Sequence, residues 1–223
     1  MSDSQNPQAL TYAETINYMD QMPSADSARV GQSPLHHAAL DEAAKTQVPG
    51  SVTLTELALR GHIVLRGKLD NAGFTEGVQK VTGMALPGKL QRVTEGELSI
   101  RWISPDEWLL VVPGERTFEI EKSLVETMQG HCAVVNVSGA QTILRLGGKD
   151  AVNVLKKSIP YDVHANNFPL EKTVTTVFAK TQAIVTRVAD DQWELVVRRS
   201  FSDYAWAWIQ DASAEFGLVI KAE

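Results

Sequence analysis

The chain has 223 residues, of which 43% are hydrophobic and 22% charged, and its formal net charge at pH 7 is -6. A chain of this length and composition can bury a sizeable hydrophobic core in one or two compact units. Because the net charge is negative, no dense positive field offsets a phosphate backbone, and we expect no nucleic-acid partner. The apolar runs are shorter than the roughly 20 residues that span a bilayer, and a signal-peptide pattern is lacking. We therefore expect a cytoplasmic protein with no membrane partner.

The N-terminal region differs in composition from the rest of the chain. Residues 1–30 are rich in Ser, Asp, Gln and Asn and show no sustained hydrophobic period. The sequence therefore predicts that residues 1–32 form a flexible N-terminal arm.

The pattern of residues 33–138 predicts a first α/β half. Alternating and helically spaced apolar residues indicate a strand, a helix, a hairpin of two strands, a second helix and a last strand. Ser104, Pro105 and Asp106 supply the turn of the hairpin. The predicted elements are strand 62–69, a helix around 74–81, strands 98–102 and 108–112, helix 116–129 and strand 133–137.

Residues 139–223 predict a second α/β half with a similar order of elements. Two short motifs recur between the halves: IVLRG at 63–67 resembles ILRLG at 143–147, and DEWLLVV at 106–112 matches DQWELVV at 191–197. Such self-similarity indicates an internal duplication. The predicted elements are strand 142–146, helix 150–157, strands 174–178, 183–188 and 193–197, and helix 202–216.

This order of elements predicts the fold class. A strand-helix-strand-strand-helix-strand unit is the ferredoxin-like, or split βαβ, arrangement, in which two helices cover one face of an antiparallel sheet. We therefore predict an α+β fold of two tandem ferredoxin-like units, residues 33–138 and 139–223, packed as one globular unit.

Two features that suggest bound phosphate or metal have ordinary explanations. GMALPGK at 83–89 has the spacing of a phosphate-binding loop, but it follows a helix, Leu90 replaces the usual Ser or Thr, and Pro87 removes a backbone amide. His36 and His37 are adjacent and diverge, and the other three histidines are isolated, so no chelating pair is evident. We expect no metal, no cofactor and no catalytic residue on this chain.

The last predicted helix suggests a surface that binds another protein. Trp206 lies away from the apolar stripe of this helix, so we expect it to be exposed or covered by a partner. Arg198 and Arg199 precede the helix, where strand alternation places one of them on each side. The candidate interface residues are Trp206, Arg198, Arg199, His36 and His37. The stripe itself consists of Phe201, Tyr204, Ala205, Trp208, Ala212 and Phe216.

Several motifs together resemble the gamma subunit of heterotetrameric sarcosine oxidase over about residues 33–218. They are SPLHHA at 33–38, GHIVLRG at 61–67, SPDEWLL at 104–110, VNVSG at 135–139 and VRRSF at 197–201. The resemblance implies a non-catalytic structural partner, within an oxidoreductase complex that converts sarcosine to glycine. In this family the methyl carbon passes to tetrahydrofolate as 5,10-methylenetetrahydrofolate or leaves as formaldehyde, and hydrogen peroxide is formed.

The same resemblance implies the partners and their cofactors. The expected partners are the alpha, beta and delta subunits, with alpha contacted most directly. FAD and covalent FMN belong on or beside beta, NAD on alpha and zinc on delta, and gamma carries none of them. The segment 157–160 departs from the Gly-Cys pair that gamma subunits usually have there.

A wider resemblance links the chain to the folate-binding domains of the glycine-cleavage T-protein family. The residues that carry it are VVNVS at 134–138, the segment 143–148, and Asp150 with Ala151. Asn136 stands where these relatives usually have Asp, and the extra C-terminal barrel domain of the transferases is missing. Two alternatives stay open: a folate-dependent aminomethyl-transfer or folate-binding protein, with Asp150 as the candidate carboxylate, and a ligand-sensing module.

Overall fold

A computed structural model describes residues 31–46 and 48–223, so most of the predicted flexible arm, residues 1–30, lies outside the described residues. The described chain contains eleven strands and five α-helices. The strands are β1 (Val52–Leu57), β2 (Gly61–Gly67), β3 (Arg92–Glu95), β4 (Leu98–Ser104), β5 (Glu107–Val112), β6 (Cys132–Asn136), β7 (Gln141–Gly147), β8 (Thr173–Phe178), β9 (Thr181–Ala189), β10 (Gln192–Arg198) and β11 (Leu218–Ile220). The helices are α1 (Leu40–Ala43), α2 (Ala72–Thr82), α3 (Thr117–Thr127), α4 (Ala151–Ser158) and α5 (Ser202–Ser213).

The first sheet has the strand order β3-β4-β5-β2-β6, and all of its strand pairs are antiparallel. Four of its five strands, β2, β4, β5 and β6, are joined in the order of a split βαβ unit. Helices α2 and α3 bury Phe74, Val78, Ile120 and Leu124 against Ile63 and its neighbours on one face of this sheet. The sheet and its two helices therefore form the predicted first ferredoxin-like unit.

The second sheet has the order β11-β1-β7-β10-β9-β8. Strand β1 pairs with β7 in antiparallel fashion and with the C-terminal strand β11 in parallel fashion. Strand β1, which precedes β2 of the first unit in the chain, therefore lies inside the sheet of the second unit, between β11 and β7. Helices α4 and α5 cover one face of this sheet through Val154, Leu155, Ala205 and Ile209.

The repeated motifs occupy equivalent places in the two units. Trp108 on β5 and Trp193 on β10 are both fully buried on the helix-covered faces of their sheets. Trp108 contacts the ring of Phe74, with ring centroids 5.8 Å apart, and Trp193 contacts the ring of Phe168 at 4.8 Å. The repeat in the sequence therefore corresponds to a repeat in packing.

The faces of the two sheets that the helices leave uncovered pack against each other. The apolar residues buried between them are Leu57, Leu109, Val111, Ile143, Ile184 and Val196. The sheets are also joined through the backbone at one edge, where Arg92 N donates to Glu171 O at 2.8 Å and Thr173 N donates to Leu90 O at 3.0 Å. The central strands are consequently buried on both faces, and residues 31–223 form one compact unit.

The sequence did not predict four short elements: α1, β1, β3 and β11. The last helix ends at Ser213 rather than at residue 216. The division into halves 33–138 and 139–223 stays a prediction, and β1 belongs by sequence to the first half but by hydrogen bonding to the second sheet. Apolar and polar residues do alternate over 52–55, but the partners of β1 lie about 90 and 165 positions away along the chain, so the sequence could not show which sheet it joins.

Local signals explain where α2 begins and ends. The Asn71 side chain accepts a hydrogen bond from Phe74 N at 3.3 Å and caps the N-terminus. Gly83 ends the helix in the left-handed conformation, with φ 77°. The glycine-rich segment 83–89 is therefore a helix end, and Pro87 O in it accepts a hydrogen bond from Trp108 Nε1 at 2.9 Å. This segment has a packing role in the first unit.

Candidate functional site

The segment before β1 is fixed to the second unit and determines where the two predicted interface histidines lie. Ser33 Oγ donates to Glu56 Oε2 at 2.8 Å, and Thr142 Oγ1 donates to Glu56 Oε1 at 2.8 Å. Leu35 is buried in the core of the second unit. A short 3₁₀ turn follows at His36–Ala38.

The two histidines face different surroundings, as their adjacency predicts. His37 Nε2 lies 2.9 Å from Asp203 Oδ1 in the first turn of α5, and both side chains are mostly exposed. His36 instead lines a separate cavity of about 350 Å³, together with Leu40 and Glu56. Of the two, only His37 is therefore shown in contact with α5.

Arg198 and Arg199 are exposed at the end of β10, in the turn that leads into α5. Phe201, which the sequence placed in the buried stripe of this helix, is 43% exposed instead. Ile209 is fully buried in the core. The buried face of the helix includes Ile209, which the predicted stripe omitted, and excludes Phe201, which lies in the 3₁₀ turn at Arg199–Phe201 that precedes the helix.

Trp206 is half-buried and packs against the core of the second unit. Its own chain therefore already covers part of a side chain that we expected to be exposed or covered by a partner. It follows Asp203, the contact of His37, by three positions, so the two side chains neighbour each other on the helix surface. We define the α5 surface as His37, Arg198, Arg199, Phe201 and Trp206.

A buried cluster of charged residues lies between the two sheets. Arg101 on β4 forms an ion pair with Glu194 on β10, and these side chains are only 2% and 4% exposed. The other carboxylate oxygen, Glu194 Oε1, accepts hydrogen bonds from Arg145 Nη2 at 2.7 Å and Arg145 Nε at 3.2 Å. Arg92 Nη1 lies 4.0 Å from Glu194 Oε2, so one carboxylate faces three guanidinium groups.

The surroundings shift the pKa values within this cluster. Burial lowers the pKa of Arg101 to about 10, although Glu194 opposes that shift. Burial raises the pKa of Glu194, but Arg101 and Arg145 outweigh this effect and hold it below its ordinary value. His62 on β2 is buried nearby, and burial together with Arg101 lowers its pKa to about 4. At neutral pH Arg101 and Glu194 are therefore ionised and His62 is uncharged.

A cavity of about 190 Å³ opens beside this cluster. We call it the inter-sheet arginine cavity. Its charged lining residues are Arg60, Arg92, Arg101, Arg145, Glu97 and Glu194. Leu57, Val111 and Ile143 of the inter-sheet core form part of its apolar wall.

Residue patterns alone did not predict this cluster. In β4 the residues Leu98, Ile100 and Trp102 alternate with polar ones, a pattern that predicts solvent exposure for Arg101. The available signal was the unbroken apolar run of β5, because strands with such runs are buried on both faces. A charged residue beside such a strand must find a partner inside the protein.

Asp150, the candidate carboxylate of the folate alternative, is hydrogen-bonded within the chain. Asp150 is partly exposed and accepts hydrogen bonds from Ser51 Oγ at 2.5 Å and Asn153 Nδ2 at 2.9 Å. The hydrogen bond from Ser51 holds the pKa of Asp150 below its ordinary value.

Two absences concern the described residues alone. No group of three His, Cys, Asp or Glu side chains there is arranged to hold a metal ion. Among the helices of residues 31–46 and 48–223, none combines the length and apolar character that a membrane span requires.

Comparison with known proteins decides the family. The model of the sarcosine oxidase, gamma subunit family matches residues 66–215. The chain belongs to this family. The sarcosine oxidase gamma subunit of Corynebacterium sp. strain U-96 is 32% identical over 200 residues, which cover 86% of this chain and 94% of the relative. That of strain P-1 is 29% identical over 195 residues, with the same coverage of both chains. The predicted resemblance to this family is thereby confirmed.

Solved structures share this fold. A chain of the heterotetrameric sarcosine oxidase from Corynebacterium sp. U-96, solved in complex with pyrrole 2-carboxylate, matches with a TM-score of 0.75 and 28% identity. The match covers 84% of this chain and 97% of that one. The glycine cleavage system aminomethyltransferase T from Bartonella henselae matches with a TM-score of 0.59 and 16% identity, over 81% of this chain and 50% of that one. The fold is therefore α+β and similar to part of an aminomethyltransferase, as predicted.

Proposed function

We propose that this chain is the non-catalytic gamma subunit of a heterotetrameric sarcosine oxidase and acts as a structural partner of the alpha subunit. The observation that carries the proposal is the match to a chain of such a complex over 97% of that chain's length. Alpha, beta and delta subunits are the proposed partners, with alpha contacted most directly. We place the complex in the cytoplasm.

The proposed complex oxidises sarcosine to glycine, with formaldehyde or 5,10-methylenetetrahydrofolate and hydrogen peroxide as the other products. The cofactors FAD, FMN, NAD and zinc would lie on the other subunits, and tetrahydrofolate would serve as the one-carbon acceptor. The task of this chain is then to bind and orient its neighbour through a largely preformed surface.

The α5 surface is the proposed contact with the alpha subunit. Arg198, Arg199 and Phe201 are exposed at one end of α5, and arginine and aromatic residues are enriched at protein interfaces. The contact between His37 and Asp203 adds the segment before β1 to the same surface. The side chain of His36 lines another cavity, so His36 is included in this proposal only because it is adjacent to His37 in the sequence.

Co-expression with the alpha, beta and delta chains tests the proposal. Size-exclusion chromatography, with absorbance followed at the flavin bands, should show this chain in a large yellow complex that forms peroxide from sarcosine. A separate colourless peak for this chain beside an assembled complex of the other three would overturn it.

Two pairs of variants test the surface. Arg199→Ala and Phe201→Ala should weaken assembly, whereas Arg66→Ala and Val177→Ala, which change an exposed arginine and an exposed apolar residue elsewhere, should not. Trp206→Ala is a weaker test because this side chain also packs on the core, so its loss also lowers the stability of the chain. Equal assembly of all four variants would show that the α5 surface is not part of the interface.

A further inference from the structure

The inter-sheet arginine cavity has more buried positive than negative charge. Arg92 and Arg101 are 13% and 2% exposed, and the mostly buried carboxylate facing them, Glu194, is 4% exposed. Glu97 is exposed, where water screens its charge, and Glu171 is 44% exposed, although its Oε2 lies 3.4 Å from Arg92 Nε. The chain as a whole carries a net charge of -6, so this local excess runs against its overall charge.

Hydrogen-bond donors in the cavity are also left over. Within residues 31–46 and 48–223, Nε and Nη1 of Arg101 and Nη1 of Arg92 are buried without a hydrogen-bond partner, whereas Arg92 Nε faces Glu171 Oε2 at 3.4 Å. A buried guanidinium carries a charge, and leaving its donors without partners is costly, so such groups are normally satisfied. The single carboxylate of Glu194 is already used by Arg101 Nη2 and by Arg145.

The size of the cavity limits what could satisfy these donors. Its volume of about 190 Å³ is below the roughly 300–1,000 Å³ of pockets that bind drug-sized molecules. Arginine guanidinium groups bind planar carboxylates and phosphates through paired hydrogen bonds. Arg145 is 38% exposed, so one guanidinium of the cluster is reachable from solvent.

From these observations we propose that the inter-sheet arginine cavity binds a small oxyanion, a carboxylate or a phosphate, through Arg92, Arg101 and Arg145. The anion accepts hydrogen bonds from the arginine donors that Glu194 leaves without a partner. It thereby joins β3 and β4 of the first sheet to β7 of the second. The site does not depend on assembly with other subunits, because all of its residues belong to this chain.

Isothermal titration of the full chain with inorganic phosphate and, separately, with acetate tests the proposal at constant ionic strength set with chloride. We expect saturable one-to-one binding of at least one probe, and the tighter one identifies the class of anion. Arg145→Gln should weaken that binding by about tenfold or more, because a charge-assisted hydrogen bond contributes about 1.5–3 kcal/mol. Arg66→Gln, which changes an exposed arginine paired with Asp106, should leave it unchanged.

Thermal unfolding followed by circular dichroism shows whether each variant is folded. Should Arg145→Gln unfold, Arg145→Lys replaces it, because lysine keeps the charge but loses the paired donors. The proposal is overturned if neither probe binds saturably, or if binding is unchanged in a folded Arg145 variant. Equal loss of binding in Arg66→Gln would also overturn it, since it would indicate a general effect of surface charge.

Discussion

Arg101 and Glu194 form a buried ion pair that connects the two sheets, although they are 93 residues apart in the chain. Arg101 belongs to the first unit and Glu194 to the second, and each projects from the sheet face opposite its helices. A charged pair at this position is satisfied only when the two sheets meet in one register. It therefore favours one arrangement of the units over others that would bury the same apolar surface.

Replacing Glu194 by Gln should strongly destabilise the fold. Three guanidinium groups would lose their shared carboxylate, and breaking a buried pair typically costs about 3–5 kcal/mol. Urea unfolding of wild type and variant measures the difference. Glu126→Gln, which alters an exposed pair with Lys122 on α3, is the matched control and should change stability by less than about 1 kcal/mol. Similar losses in the two variants would show that the inter-sheet pair has no special role.

His62 should make the fold sensitive to mild acid. Its pKa is lowered from 6.5 in the unfolded chain to about 4 in the folded one, chiefly by burial. The unfolded chain therefore takes up the proton first as the pH falls. The stabilisation that comes from burying His62 uncharged is complete above pH 6.5 and is lost as the pH falls towards 4. At pH 5 the loss is about 2 kcal/mol relative to neutral pH.

The measurement is the difference in unfolding free energy between pH 7.5 and pH 5. His62→Gln should reduce this difference by about 2 kcal/mol, whatever its effect on stability at neutral pH. His131→Gln, at an exposed histidine, should keep the wild-type difference. An unchanged pH dependence in His62→Gln would contradict the assignment.

Leu109→Ala should weaken the contact between the sheets. Leu109 is fully buried in the inter-sheet core, and truncating such a leucine costs about 2–5 kcal/mol. Because the two units share this core, we expect the variant to unfold in a single transition at lower temperature. Calorimetry would contradict this if two separate transitions appeared. Val177→Ala, at an exposed valine, should leave the melting temperature nearly unchanged.

Gly148→Ala should show that the turn after β7 needs a glycine for two reasons. Gly148 has φ 97°, and a Cβ there would lie 2.3 Å from Ser51 O. Gly96 also has a positive φ, 57°, but a Cβ there would meet no atom of the described chain within 4 Å. Gly96→Ala should therefore cost about 1 kcal/mol for its backbone alone, and Gly148→Ala distinctly more. If chemical denaturation showed equal losses of stability in the two variants, the chain would have relieved the close contact between the new Cβ and Ser51 O without cost.

Most regular elements could be predicted from the sequence because their signals are local. The alternation in β4, the helical spacing in α2 and the repeated segments around Trp108 and Trp193 each depend on residues close together in the chain. Strand β1 also alternates over 52–55, a local signal that the prediction missed. It becomes a strand because β7 and β11 supply hydrogen-bond partners on both of its edges.

Residue patterns and motifs alone determined the α+β class, the duplicated order of elements and the resemblance to the gamma subunit family. Only the tertiary structure decided that Arg101 and Glu194 are buried together and that Trp206 is half covered by its own core. The physical reason is the same in both cases. Alternation and helical period reveal which residues share a face, but what covers that face depends on contacts between parts of the chain that are distant in sequence.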